Sequence, residues 1–295
     1  MTLFENLRSR IFQDATWLQP LSDPPGGRPL CREEDLKLMA SFLSEVLRSG
    51  QARNLFIYGK PGTGKTICVL YLLSEINRHA RETKTPVSAV YVNAGRTRTP
   101  YYTMLEIVKS LGLGVPDVGW QMFRLKRAFE DLLKDKAVVI AIDEVDSIIF
   151  KEKEPLVYYL NRQPKTTLIL LSNKIEDAAQ LPERALSTLQ PKILKLEPYT
   201  KEETFRILKE RAEHSFQPGV VSEKLISVVA EAASKLADIR LGFSMLLSAG
   251  LTAERAGREK IDTDDIESAI KSESKLDVLK KMDALKKQLE KLRKH

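Results

Sequence analysis

Residues 59–66 read Gly59-Lys60-Pro61-Gly62-Thr63-Gly64-Lys65-Thr66, a glycine-rich loop directly after an apolar run and directly before a helical pattern. That spelling in that context fits phosphate chemistry. Its glycines let backbone N–H groups close around phosphate oxygens, and the helix that follows contributes its positive end. Lys65 then reaches the β- and γ-phosphates while Thr66 offers a hydroxyl to Mg²⁺, so ATP or ADP with Mg²⁺ is the expected ligand. The run Val138-Val139-Ile140-Ala141-Ile142 delivers two carboxylates at its end, Asp143 and Glu144. Asp143 is expected to hold Mg²⁺ through water, and Glu144 to orient and deprotonate the attacking water. Asp146 caps or turns the next segment. A third run ends in Ser172-Asn173, where an uncharged amide on a neighbouring strand could hold the lytic water or sense the γ-phosphate.

Positioning these groups requires strands whose carboxyl ends lie side by side. Strand-like runs fall at 54–58, 87–92, 137–142, 167–171 and 192–196, with helix-period segments near 65–80, 101–111, 121–134 and 155–162 between them. Strands alternating with helices predict a parallel sheet covered on both faces. Beyond Pro198 the pattern becomes helical only, at 201–215, 222–236, 239–256 and 263–271, with Thr200 and Asp262 or Thr263 as caps. The expected organisation is an α/β nucleotide-binding base over 1–198, an all-helical lid over 199–273 and a basic amphipathic helix over 274–295. In that last segment Val278, Met282, Leu285, Leu289 and Leu292 follow a coiled-coil seam.

Composition bounds the function classes. With 295 residues, 43% hydrophobic and 29% charged, the chain can bury a core, and no apolar run approaches the roughly 20 residues of a membrane helix. The expectation is a cytoplasmic protein with no membrane partner, since no signal pattern opens the sequence. Cys31 and Cys68 make no disulfide framework, and His79, His214 and His295 have no companions at metal-ligand spacing. Of the net charge of +7, five units sit in 275–295, where eight Lys/Arg face Asp277, Asp283 and Glu290. Such a segment suits nucleic acid or a solvated helix face.

An ordered set of motifs goes further: Arg28-Pro29-Leu30-Cys31-Arg32-Glu33-Glu34, Tyr58-Gly59 with the phosphate loop, Val92-Asn93, Thr99-Pro100-Tyr101, Asp143-Glu144-Val145-Asp146, Ser172-Asn173, Leu181-Pro182-Glu183-Arg184-Ala185-Leu186-Ser187, Pro198-Tyr199-Thr200 and Ala237-Asp238-Ile239-Arg240. From about Thr16 to Lys271 the sequence resembles the AAA+ ATPases of the initiator clade, which holds origin recognition complex subunits, the related eukaryotic helicase-loading factor and their archaeal homologues. The resemblance implies a slow ATPase acting at double-stranded DNA in replication, nucleoid-associated if archaeal. Arg32 falls in the segment lining the adenine pocket, Asn173 in sensor 1 and Arg240 in sensor 2. Arg184 matches the arginine finger that other AAA+ subunits receive in trans.

Residues 99–120 occupy the place of the clade's DNA-touching insertion, and Gly112 to Trp120 reads equally as an apolar wedge or as an exposed turn with Trp120 packed inward. Two departures stand out. Ala237 replaces the glycine of Gly-Asp-x-Arg, a change helical geometry should tolerate, and the basic segment 274–295 stands where the clade continues into a winged-helix domain. The same residues also fit a nucleotide-locked scaffold, or a loader acting on a protein partner.

Overall fold

A computed structural model describes residues 9–19, 22, 24–49, 53–116, 119–149, 156–181 and 183–273. The apolar runs form five strands: β1 (Leu55–Tyr58), β2 (Val87–Asn93), β3 (Ala137–Asp143), β4 (Thr166–Ser172) and β5 (Lys192–Lys195), each within one residue of the expected ends. They pair in parallel in the order β2-β3-β4-β1-β5. β3 and β4 are buried along their whole length, as interior strands covered on both faces must be.

Alternation along the strands sends side chains to two separate cores. On one face α1 (Glu33–Ser49) and α2 (Lys65–Thr83) bring Met39, Leu43, Val69 and Leu72 against Leu55, Ile57, Val139 and Ile169. On the other, α3 (Ala94–Thr97), α4 (Pro100–Ser110), α5 (Met122–Leu133), α6 (Asp146–Ile149), α7 (Leu156–Asn161), α8 (Glu176–Ala179) and α9 (Glu183–Leu189) surround Phe56, Ile140, Leu168 and Leu170.

The α4–α5 connection decides between the two readings of its apex. Trp120 is half-buried against the sheet core, its carbonyl accepts the Tyr101 hydroxyl at 2.6 Å, and Val115 is buried. Among the described residues of this apex Leu113, Val115 and Trp120 are thus spent on packing, and Trp120 is no free wedge. Among the described residues of α4 and α5, large apolar groups exposed to solvent are Phe123, 59% exposed, and Tyr102, 54% exposed, with Arg124 and Arg127 exposed on the same helix as Phe123.

Contacts divide the chain into a sheet unit, Arg32–Glu197, and a helical unit of Met1–Cys31 with Pro198–His295. In the helical unit α10 (Lys201–Ser215), α11 (Glu223–Leu236), α12 (Ile239–Arg255) and helical residues 263–273 pack Leu208, Val229, Met245, Leu246 and Ile266 together. Thr200 and Glu203 form a reciprocal capping box at the start of α10, and Asp262 caps the helix at 263. The N-terminal segment, expected with the sheet, packs here. Phe12 stacks on Phe216 at 5.1 Å, and Gly250 on α12 makes room, since a β-carbon there would lie 2.4 Å from the Phe12 ring. Buried Arg211 donates to the Trp17 and Ser22 carbonyls at 3.2 and 2.9 Å.

Ala237 also differs from expectation: it ends α11 at φ +56°, in the left-handed region where a β-carbon is strained, rather than within helical backbone. The helix expected over 274–295 lies outside the described residues. No described helix is long and apolar enough to cross a membrane.

Candidate nucleotide-binding site

Register places the chemistry at one sheet edge. Tyr58 at the end of β1 pairs with Ser172 of β4, and Asn93 at the end of β2 pairs with Asp143 of β3. The phosphate loop, Asn93, Asp143, Glu144 and Asn173 thus leave neighbouring carboxyl ends, where open parallel sheets bind ligands.

Within the loop, Gly62 and Gly64 take φ values of +77° and +85°, which side chains with a β-carbon rarely adopt. α2 starts at Lys65, so its unpaired N–H groups face the loop. Lys65 is 7% exposed, and its Nζ donates to the carbonyls of Gly59 at 2.7 Å and Lys60 at 3.1 Å and to Asn173 Oδ1 at 3.0 Å. Pro61 lies at the exposed crest. Thr66 Oγ1 donates to Asp143 Oδ2 at 2.6 Å, tying the loop to β3. The donor set suits a nucleotide with a divalent cation: the ammonium rests on oxygens of the kind phosphates supply, and a hydroxyl and carboxylate lie together where a hard cation takes oxygen ligands.

Several residues that carry no role in the sequence reading hold this arrangement. Tyr91 donates to the same Asp143 oxygen at 3.0 Å, and burial, with Asp143 beside it, pushes its phenol pKa up so that it stays a donor. The Glu144 backbone N–H donates to Asp143 Oδ1 at 2.8 Å. Glu144 itself is exposed at φ +50°, with Asn93 Nδ2 3.4 Å from its Oε1. Gly95 leaves room for that side chain, because a β-carbon would fall 1.9 Å from Glu144 Oε2 and push the carboxylate from its place over Asn93. Ser172 Oγ donates to buried Asp177 and accepts from the Lys174 N–H at 3.3 Å, fixing the turn that carries Asn173. Asp146 opens α6, and burial, followed by the charges of Asp177, Glu144 and Asp143, raises its pKa. The signal for Tyr91 and Asn93 is their two-residue spacing at the end of β2, which puts both on one side of the sheet.

The three arginines are placed differently. Arg32 is 6% exposed, and its guanidinium is engaged by protein oxygens of Asp35, Thr63 and Glu197. Arg184 lies in α9, and its side chain is outside the described set. Arg240 belongs to the helical unit, where Asp238, the cap of α12, accepts from its Nε at 2.9 Å and its Nη2 at 2.5 Å and raises its pKa.

Comparison with known proteins agrees with this layout. Residues 48–176 match the AAA domain family, and residues 205–271 match the Cdc6 AAA+ ATPase-type lid domain. The ORC1-type DNA replication protein 1 of Sulfurisphaera tokodaii is 32% identical over 271 residues, covering 89% of this chain and 67% of that protein. The chain belongs to the ORC1-type family of AAA+ replication proteins. The ORC1-type DNA replication protein of Pyrococcus furiosus is also 32% identical, over 82% of this chain and 63% of its own length. The chain thus spans just under two thirds of the Pyrococcus relatives it matches. Among solved structures, the Aeropyrum pernix ORC1 protein in complex with DNA superposes with a TM-score of 0.80 at 29% identity, over 89% of this chain and 70% of that one. As an ORC1-type chain, the protein has the expected α/β AAA+ core followed by a helical lid.

Proposed function

We propose that this ORC1-type chain is an ATP-binding and slowly hydrolysing switch of the replication-initiator type that acts at double-stranded DNA. The observation that carries the reading is the linkage of Lys65 to Asn173 and of Thr66 to Asp143 at one sheet edge. Lys65 binds the β- and γ-phosphates, trading its carbonyl partners for phosphate oxygens. Thr66 and Asp143 would hold Mg²⁺, which when bound neutralises phosphate charge. Glu144 takes the proton of the attacking water, and Asn173 positions that water. The resting contact of Glu144 with Asn93 supports slow basal turnover, because the base must leave it before acting.

Arg240 would reach the nucleotide by exchanging Asp238 for phosphate, and Arg184 would complete the site of a neighbouring AAA+ subunit. Action at DNA is supported by the DNA complex of the Aeropyrum pernix relative and by exposed Phe123, Arg124 and Arg127 on α5, the helix that follows the inserted segment. Phosphate release and duplex binding by fluorescence anisotropy, each with ATP and with ADP, test the proposal. It is supported by measurable hydrolysis and nucleotide-dependent duplex binding; an intact chain that hydrolyses ATP but binds no duplex at any salt concentration would leave the protein-partner reading instead.

A further inference from the structure

The chain passes between the two units at 31/32 and at 197/198, so Arg32 is the first residue of the sheet unit and Glu197 its last. One buried guanidinium joins them. Arg32 Nη2 donates to the Glu197 carbonyl at 2.5 Å and to the Thr63 carbonyl at 2.8 Å, while Nη1 pairs with Asp35 at 3.1 Å in the first turn of α1. Thr63 belongs to the phosphate loop, is 1% exposed, and turns its hydroxyl back onto the Lys60 carbonyl at 2.9 Å. An independent contact joins the same two stretches. A β-carbon on Gly59 would lie 2.4 Å from the Leu196 carbonyl oxygen, and the Leu196 N–H donates to the Tyr58 carbonyl at 2.8 Å. The start of the loop therefore rests on Leu196, and its middle is tied through Arg32 to Glu197.

Bonds from a guanidinium to carbonyl oxygens are charge-assisted, and a planar fork addresses several acceptors at fixed angles in a way an ammonium cannot. In a close-packed interior a shift of Thr63 cannot be absorbed in empty space, so it moves Arg32 and, with it, the Glu197 backbone. We propose that Arg32 is a positioning residue that couples the phosphate loop to both connections leading to the helical unit, so that nucleotide in the loop is felt at residues 31–32 and 197–198. The coupling rests on the reading of the loop as an ATP site. Asp35 serves it by orienting the fork.

Hydrogen–deuterium exchange on the full chain tests the coupling, with and without ATP·Mg²⁺ at a concentration saturating for each variant. Peptides over 59–66 report the loop, and peptides over 28–36 and 194–203 report the connections. The wild type should show slower exchange in both sets on binding, by about tenfold at the connections, within the usual range of coupling between sites. Arg32→Lys, which keeps the charge but loses the fork, should protect the loop and lose most of the nucleotide-dependent protection at the connections. A merely structural role would lower the melting temperature without separating the two responses.

Equal connection protection in Arg32→Lys and wild type overturns the proposal, as does wild-type protection confined to the loop. A folded Arg32→Lys whose loop responds at no ATP concentration also overturns it, because Arg32 would then be a nucleotide contact. If thermal melting shows Arg32→Lys unfolded, Asp35→Asn replaces it. A reduced connection response then supports the coupling, and an unchanged one refutes it. Absence of loop protection in the wild type would remove the ATP reading itself and the coupling with it, an outcome distinct from all the others.

Discussion

In the proposed reaction turnover depends most narrowly on Glu144, since Lys65, Thr66 and Asn173 would bind or orient while Glu144 would take the proton. Glu144→Gln keeps the shape and the reach to Asn93 while removing the base, so ATP affinity should stay within a few-fold. Phosphate release should fall about 100-fold or more, the usual yield of a positioned base. Separate measurement of affinity and of phosphate release checks this, and hydrolysis at the wild-type rate would remove Glu144 from the role. The positions of both carboxylates and of the Asn173 amide were legible because they stand at the ends of apolar runs that only strands explain, and those of Lys65 and Thr66 because a glycine-rich loop joins such a run to a helical pattern. Tyr91, Gly95 and Asp177 were not, because their work is defined by neighbours in space: Gly95 matters only once Glu144 is seen lying over it. Arg32 was legible as a position and not as a set of contacts, since Thr63 and Glu197 meet it only after the sheet has formed.

At the scale of elements, α11 ends in a residue ill-suited to its place. Ala237 at φ +56° carries a β-carbon where glycine carries none, which costs about 1–2 kcal/mol against an entropic saving of about 0.5–1 kcal/mol in the unfolded chain. Ala237→Gly should therefore stabilise the helical unit by about 0.5–1 kcal/mol, read as a rise in its denaturation midpoint. A fall in that midpoint would mean the left-handed cap is not strained.

The α5 helix carries a second expectation. Phe123→Ala should reduce discrimination between duplex sequences, because an apolar group acts through groove deformation. Deleting 275–295 should weaken binding to all sequences alike and flatten its salt dependence by about 0.9 in slope per lost phosphate contact. Titrations at two salt concentrations separate the two, and identical effects from both changes would contradict the division. Long elements were readable from apolar spacing, and α10 through α12 fell within a residue of their expected ends. The short helices α3, α6 and α8, of four residues each, were not, since a single turn shows no periodicity. Trp120 stayed open in the sequence for a related reason: a glycine-flanked apolar residue reads alike whether it packs inward or wedges outward.

For the whole molecule, the division into units was legible at Pro198, where strands stop, and not at the N-terminus. The partner of Phe12 is Phe216, some two hundred residues away, and no local pattern announces a stack between them. Function in trans belongs to this scale. Arg184→Ala should keep nucleotide affinity but lose any turnover that rises with protein concentration. Mixing it with Lys65→Ala, which retains a finger and lacks a working site, should restore part of it. No recovery at any ratio would leave the chain without a finger at Arg184.

The central claim, that residues 59–66 hold ATP through Lys65, is tested most directly by calorimetric titration of ATP·Mg²⁺ into wild-type and Lys65→Ala protein, with both shown equally folded by thermal melting without nucleotide. Saturable binding to the wild type is expected, with an affinity about 10- to 100-fold lower in the variant, the loss that charge-assisted bonds from one ammonium would carry. Equal affinity in the two proteins would contradict it.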